Sequence, residues 1–132
     1  MLQFKAYGHP NITAKHRTTL EFTKDSKLTL KGDCIIGVRA DFNAKRIQDF
    51  MIGSFDFIMH IIIGDESITL NAQYNQKFND DEEIVLRRGI HDSTRTMGMV
   101  SSHAAIDLTD TMVAKLKDPN QEVIIQIEKT TE

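Results

Sequence analysis

The chain has 132 residues, 40% hydrophobic and 27% charged, with one Cys, no Trp and a formal net charge of −3. That length can bury a core without disulfides or a structural metal, and the composition excludes a disordered segment. A lone Cys excludes an internal disulfide, no secretory pattern opens the chain, and the apolar runs are too short to span a bilayer, so a cytoplasmic protein free of membrane is expected.

In chain order, strand signals dominate. Leu2 to Tyr7 alternates apolar and polar residues. A long second strand follows if period two continues, with Ile12, Ala14, His16, Thr18, Leu20 and Phe22 on one face and Asn11, Thr13, Lys15, Arg17, Thr19, Glu21 and Thr23 on a solvated one. His16 then points toward the core. A turn at Lys31, Gly32 and Asp33 leads into a buried strand from Cys34 to Ala40. Asn43 to Met51 spaces Ile47, Phe50 and Met51 as a short amphipathic helix that ends before Gly53.

Phe55 to Ile63 and Ser67 to Tyr74 form the clearest hairpin, joined by Gly64, Asp65 and Glu66. The acidic stretch 79–83 is a loop, Ile84 to Arg88 a strand, Gly89 to Arg95 a polar connection, and Thr96 to Val100 a weaker strand. A last helix, capped by Asp107 or Thr109, aligns Leu108, Met112, Val113 and Leu116 on one face. Asp118, Pro119 and Asn120 end it, and Glu122 to Lys129 gives a final strand with Val123, Ile125 and Ile127 inward. About eight strands with two short helices that do not alternate with them predict a mainly β fold, an antiparallel β-sandwich or partly closed barrel. No repeat or linker divides the chain, so residues 1–132 are expected to form a single sandwich domain.

Three blocks, GHPNITAKHRTTLEFTKD from Gly8, LTLKGDCIIGV from Leu28, and STRT at Ser93 to Thr96, resemble an uncharacterised archaeal family known only as a domain of unknown function, DUF371. The match runs through most of the chain. The resemblance implies a mostly β, jelly-roll-like sandwich in a cytoplasmic archaeal protein, and it implies no reaction. Where the family tends to have an acid-lysine-alanine-alanine run before the last helix, this chain has Ser102, His103, Ala104 and Ala105.

Two polar blocks are candidates for chemistry. The first holds His9, Asn11, His16, Asp33 and Cys34. His9 lies between Gly8 and Pro10 in a turn, where a side chain is exposed on a fixed backbone. His9, His16 and Cys34 have ligand chemistry but no known metal spacing. An extended strand would separate the histidines by roughly 23 Å, so no metal and no cofactor is expected. Cys34 opens an apolar run and reads as buried and inert rather than as a nucleophile served by His9.

The second block runs from Arg87 to Thr96, where guanidinium groups, hydroxyls and Gly89 suit a planar oxyanion. These blocks together predict one pocket, with His9, His16 and Asp33 in acid-base roles and Asn11, Arg88, Ser93 and Arg95 holding a small anionic ligand. A competing class is a non-catalytic module that binds RNA or a protein through the basic first third. Residues 1–46 hold nine Lys or Arg against four acids, and the remainder seven against fifteen. Mutual neutralisation of the two portions is the plainer reading of that asymmetry. Aromatic stacking on nucleic acid has little basis in a chain with two Tyr and no Trp.

Overall fold

The computed structural model describes residues 1–130. Its elements are β1 (Leu2–Tyr7), β2 (Thr19–Thr23), β3 (Ile35–Gly37), α1 (Ala44–Phe50), β4 (Asp56–Ile63), β5 (Glu66–Tyr74), β6 (Glu83–Arg87), β7 (Thr96–Met99), a 3-10 turn at Ala105–Asp107, α2 (Asp110–Leu116) and β8 (Glu122–Thr130). All eight strands join one open sheet in the order β1-β8-β4-β5-β7-β6-β2-β3.

The middle of the sheet follows directly from side-chain alternation. β4 pairs β5 with Phe57 opposite Ala72 and Met59 opposite Leu70, and β8 enters on the other side with Ile125 opposite Ile61. That register puts Phe57, Met59, Ile61, Ile63, Val123, Ile125 and Ile127 on one fully buried face. Each such Ile contributes roughly 1.5–3 kcal/mol by leaving water. Gly64, at φ +64, makes the tight turn between β4 and β5, a conformation that favours glycine. Leu70 and Ala72 are buried as their alternation predicts, while Ile68 is half-buried and packs against the margin of the core.

Both helices form where expected. Asn43 caps α1 by accepting the Arg46 N–H, and Thr109 caps α2 by accepting that of Met112. Asp107, the other candidate cap, instead accepts the Ala104 N–H across the 3-10 turn.

Three expectations are corrected. The pairing is mixed rather than antiparallel throughout, because β2–β3 and β6–β7 run parallel. The long second strand shrinks to Thr19–Thr23. Ala14 adopts a left-handed φ of +52, and the Lys15 and His16 N–H groups donate to the Asp33 carbonyl at 3.0 and 3.2 Å, which breaks the extended run. His16 therefore does not face the core. The third strand is likewise short, ending before Arg39 at φ +51, although Val38 still bridges Tyr7 through two reciprocal 2.8 Å hydrogen bonds. That bridge ties the two edges of the sheet, β1 and the segment after β3, at one point. Among the described residues no helix is long and apolar enough to cross a membrane.

Candidate functional site

Polar residues cluster on the outward face of β3, β2, β6 and β7. Alternation sends Leu20, Phe22, Ile84 and Leu86 into the core, so Thr19, Glu21, Thr23, Glu83, Val85 and Arg87 point the other way. The register sets Thr19 beside Arg87, Glu21 beside Val85, and Thr23 beside Glu83, while β7 brings Thr96 next to Val85. Cys34 arrives just ahead of β3, its carbonyl accepting the Glu21 N–H at 2.8 Å.

Glu21 is the centre of this face and is only 5% exposed. Its carboxylate accepts from the Cys34 thiol at 3.6 Å, and Arg95 stands 4.0 Å away while donating to Glu83 at 3.0 Å. Burial pushes the Glu21 pKa up to about 7, and the negative Glu83 beside it adds to the rise against the opposing pull of Arg95. Burial, with Glu21 alongside, pushes the Cys34 thiol up to about 11, so it stays protonated and unreactive near neutral pH.

Arg87 completes the set. Its Nε donates to the Thr96 hydroxyl at 2.8 Å, and that hydroxyl lies 3.0 Å from Ser93 Oγ. Arg87 has no carboxylate partner in the ion pairs of the described residues, in contrast to Arg88 and Arg95. Burial and then the like charge of Arg95 lower its pKa from the ordinary arginine value. Two guanidinium groups thus share a half-buried face with one carboxylate and a second carboxyl that holds its proton up to about neutral pH.

The predicted residues divide between this face and its surroundings. Ser93 and Arg95 belong to it. His16 sits at its margin, where Nδ1 accepts the Thr19 N–H at 3.1 Å and lies 2.8 Å from the Thr19 hydroxyl. A backbone N–H can only donate, so Nδ1 is the acceptor and Nε2 carries the hydrogen. His16 offers a donor there rather than a base. Asp33 contributes its main-chain carbonyl, which anchors Lys15 and His16 and leads into Cys34.

His9 and Asn11 lie in a separate loop. The Asn11 N–H donates to His9 Nδ1 at 3.0 Å, and the Asn11 amide donates to the Leu28 carbonyl at 2.8 Å. Gly8 and His9 are held against the end of α2 by hydrogen bonds from Gly8 N to the Gln121 carbonyl and from His9 N to the Leu116 carbonyl. Arg88 is spoken for by an ion pair with Asp107, whose own pKa is lowered first by the Ala104 N–H and then by that arginine. Among the described residues no group of three or more His, Cys, Asp or Glu side chains is placed to hold a metal ion.

Glu21, Glu83, Arg87, Thr96 and Thr19 were not among the predicted site residues, although Arg87 and Thr96 bound the second polar block. The alternation assigned Glu21 to a solvated strand face. The signal that could have exposed it is the apolar Val85 on the matching face of β6, since an outward-facing valine is out of place on a purely solvated surface.

A family model described as Domain of unknown function (DUF371) matches residues 4–130. An uncharacterized protein of the archaeon Methanocaldococcus jannaschii is 30% identical over 129 residues, covering 93% of this chain and 95% of that protein. The match takes in both polar blocks and every strand of the Glu21 face, and the chain belongs to this family of unknown function.

Proposed function

We propose that this chain binds a small anionic ligand on the outward face of β3, β2, β6 and β7, and that Glu21 exchanges a proton as the ligand binds. The observation that carries the reading is Arg87, a half-buried guanidinium beside Arg95 with no carboxylate partner in the ion pairs of the described residues. An anion there receives charge-assisted hydrogen bonds from a cation that has already lost part of its hydration, which offsets some of the cost of dehydrating the ligand. Protonating Glu21 removes a competing negative charge from the same face, so proton and anion enter together.

The alternative, an RNA- or protein-binding module built on the basic first third, has less support. Lys5 pairs with Glu122 and Lys24 with Asp81, both acids of the later portion, Lys45 pairs with Asp49, and Arg39 lies over the Tyr7 ring. Four of the nine early cations are thus engaged within the fold, while Lys15, Arg17, Lys27, Lys31 and Arg46 belong to no ion pair among the described residues. The free thiol of Cys34 supports a cytoplasmic setting. The Tyr7–Val38 bridge supports a sheet that wraps its own core as a jelly-roll-like sandwich does.

A thermal-shift screen with sulfate and phosphate tests the reading. The wild type should be stabilised by at least one of these, and Arg87→Gln should remove most of the shift without lowering the ligand-free Tm much, because no carboxylate is orphaned. Equal shifts in wild type and Arg87→Gln would contradict it.

A further inference from the structure

Most of the polar segment between His9 and Lys15 takes no part in the Glu21 face. A groove of about 400 Å³ opens beside it, between Thr13, Ala14 and Lys15 on one side and Ile106, Val113 and Lys117 on the other. Ile106 is 46% exposed at this groove, and Val113 packs partly against the core. Ala14, Ile106, Leu108 and Val113 give this solvent-open trough its apolar lining.

The rim of the trough is cationic. Neither Lys15 nor Lys117 belongs to an ion pair among the described residues, and Asp110 is the one acid that lines the groove. Lys117 is positioned by donating to the Ile12 carbonyl, which keeps its ammonium beside the Thr13 wall. Two further features mark the same segment. The Thr13 hydroxyl is buried and has no hydrogen-bond partner among the described residues, and Ala14 holds a left-handed backbone that non-glycine residues seldom adopt. Both cost stability, and both sit where the groove is formed.

We propose that this groove is a second binding site, specific for a small aliphatic carboxylate whose chain lies along Ile106 and Val113 and whose head group meets Lys15 and Lys117. A branched or short linear chain suits the apolar walls, and the two lysines against one acid favour a single negative charge. The site is separate from the Glu21 face, so either can fail without the other.

Calorimetric titration with acetate, butyrate, hexanoate and octanoate provides the test, with hexanol as the uncharged comparison. Affinity should rise about fourfold for each methylene buried until the trough is filled. Hexanol should bind more weakly than hexanoate. Ile106→Glu, at an exposed position that the fold tolerates, should flatten the series, and Lys15→Gln should weaken every carboxylate. Arg87→Gln should leave the series unchanged. Affinity independent of chain length, hexanol binding as tightly as hexanoate, or wild-type titrations for both Ile106→Glu and Lys15→Gln would overturn the proposal. Loss of binding in Arg87→Gln would also overturn it, by moving the carboxylates to the Glu21 face.

Discussion

Replacing Glu21 by Gln should change how stability depends on pH, by an amount the structure sets. The carboxyl has a folded pKa of about 7 against an ordinary value of 4.5, because it is buried beside Glu83. Its folded pKa is raised, so its favourable contribution is fully present below about pH 4.5 and is lost as pH rises through 7. At about 1.4 kcal/mol per pH unit, the wild type loses about 3 kcal/mol across that window. Glutamine has the same shape, can still accept from Cys34, and never ionises. Wild-type stability minus variant stability should therefore fall by about 3 kcal/mol between pH 4.5 and 7, and be flat on either side.

Urea unfolding at half-unit steps of pH, followed by circular dichroism, measures this difference. Taking the difference cancels the carboxylates whose pKa values are lowered by Lys115, Lys77 and the Ala104 N–H, since those are common to both proteins. Those groups act in the opposite sense, with stability lost as pH falls. Parallel curves for wild type and Glu21→Gln from pH 4.5 to 8 would refute the reasoning and return Glu21 to an ordinary surface acid.

Three other consequences are open to direct measurement. Thr109→Ala removes the hydroxyl that accepts the Met112 N–H at 3.1 Å and should cost about 1 kcal/mol, lowering Tm by a few degrees; an unchanged Tm would show that the cap does not hold α2. Cys34 should resist iodoacetamide at pH 8 in the folded protein and react fully in urea, as mass spectrometry would show, whereas fast labelling of the native state would contradict a thiol pushed up to about 11. Gly8→Ala places a Cβ 2.2 Å from the Asp118 carbonyl oxygen and 2.4 Å from that of Leu116, so the loop must part from the end of α2 and Tm should fall by several degrees; wild-type melting would mean that the contact relaxes freely.

The elements that the sequence shows clearly are those where one face is fully buried. In β1, β4 and β5, and in β8 as far as Ile127, the period of two is unbroken, and Phe57, Met59, Ile61 and Val123 land on the core side as alternation requires. The same rule over-extends the second strand. Ile12 and Ala14 are buried, which mimics a strand pattern, yet they are buried by a loop whose hydrogen bonds run to Asp33 rather than to a neighbouring strand. Parallel pairing of β2 with β3 is set by where distant segments meet, and local alternation holds no trace of it.

Ser93 and Arg95 were legible in the candidate site because hydroxyls and guanidinium groups crowd one short stretch. Glu21 was not, since its significance comes from Cys34, Glu83 and Arg95, which arrive from three other parts of the chain. Histidines attracted notice by residue type alone. His9 and His16 turn their Nδ1 atoms onto backbone N–H groups two and three residues along, a local use that spacing to other functional residues does not reveal.

The most direct test of the Glu21 face is sulfate binding measured by calorimetry near pH 7 in two buffers of different ionisation enthalpy. Sulfate itself does not titrate there, so any proton taken up belongs to the protein. With Glu21 near half-protonation, the account predicts uptake of up to about half a proton per sulfate, absent in Glu21→Gln, with binding weakened in Arg87→Gln. Sulfate binding by the wild type without proton uptake, or proton uptake that persists unchanged in Glu21→Gln, would contradict it.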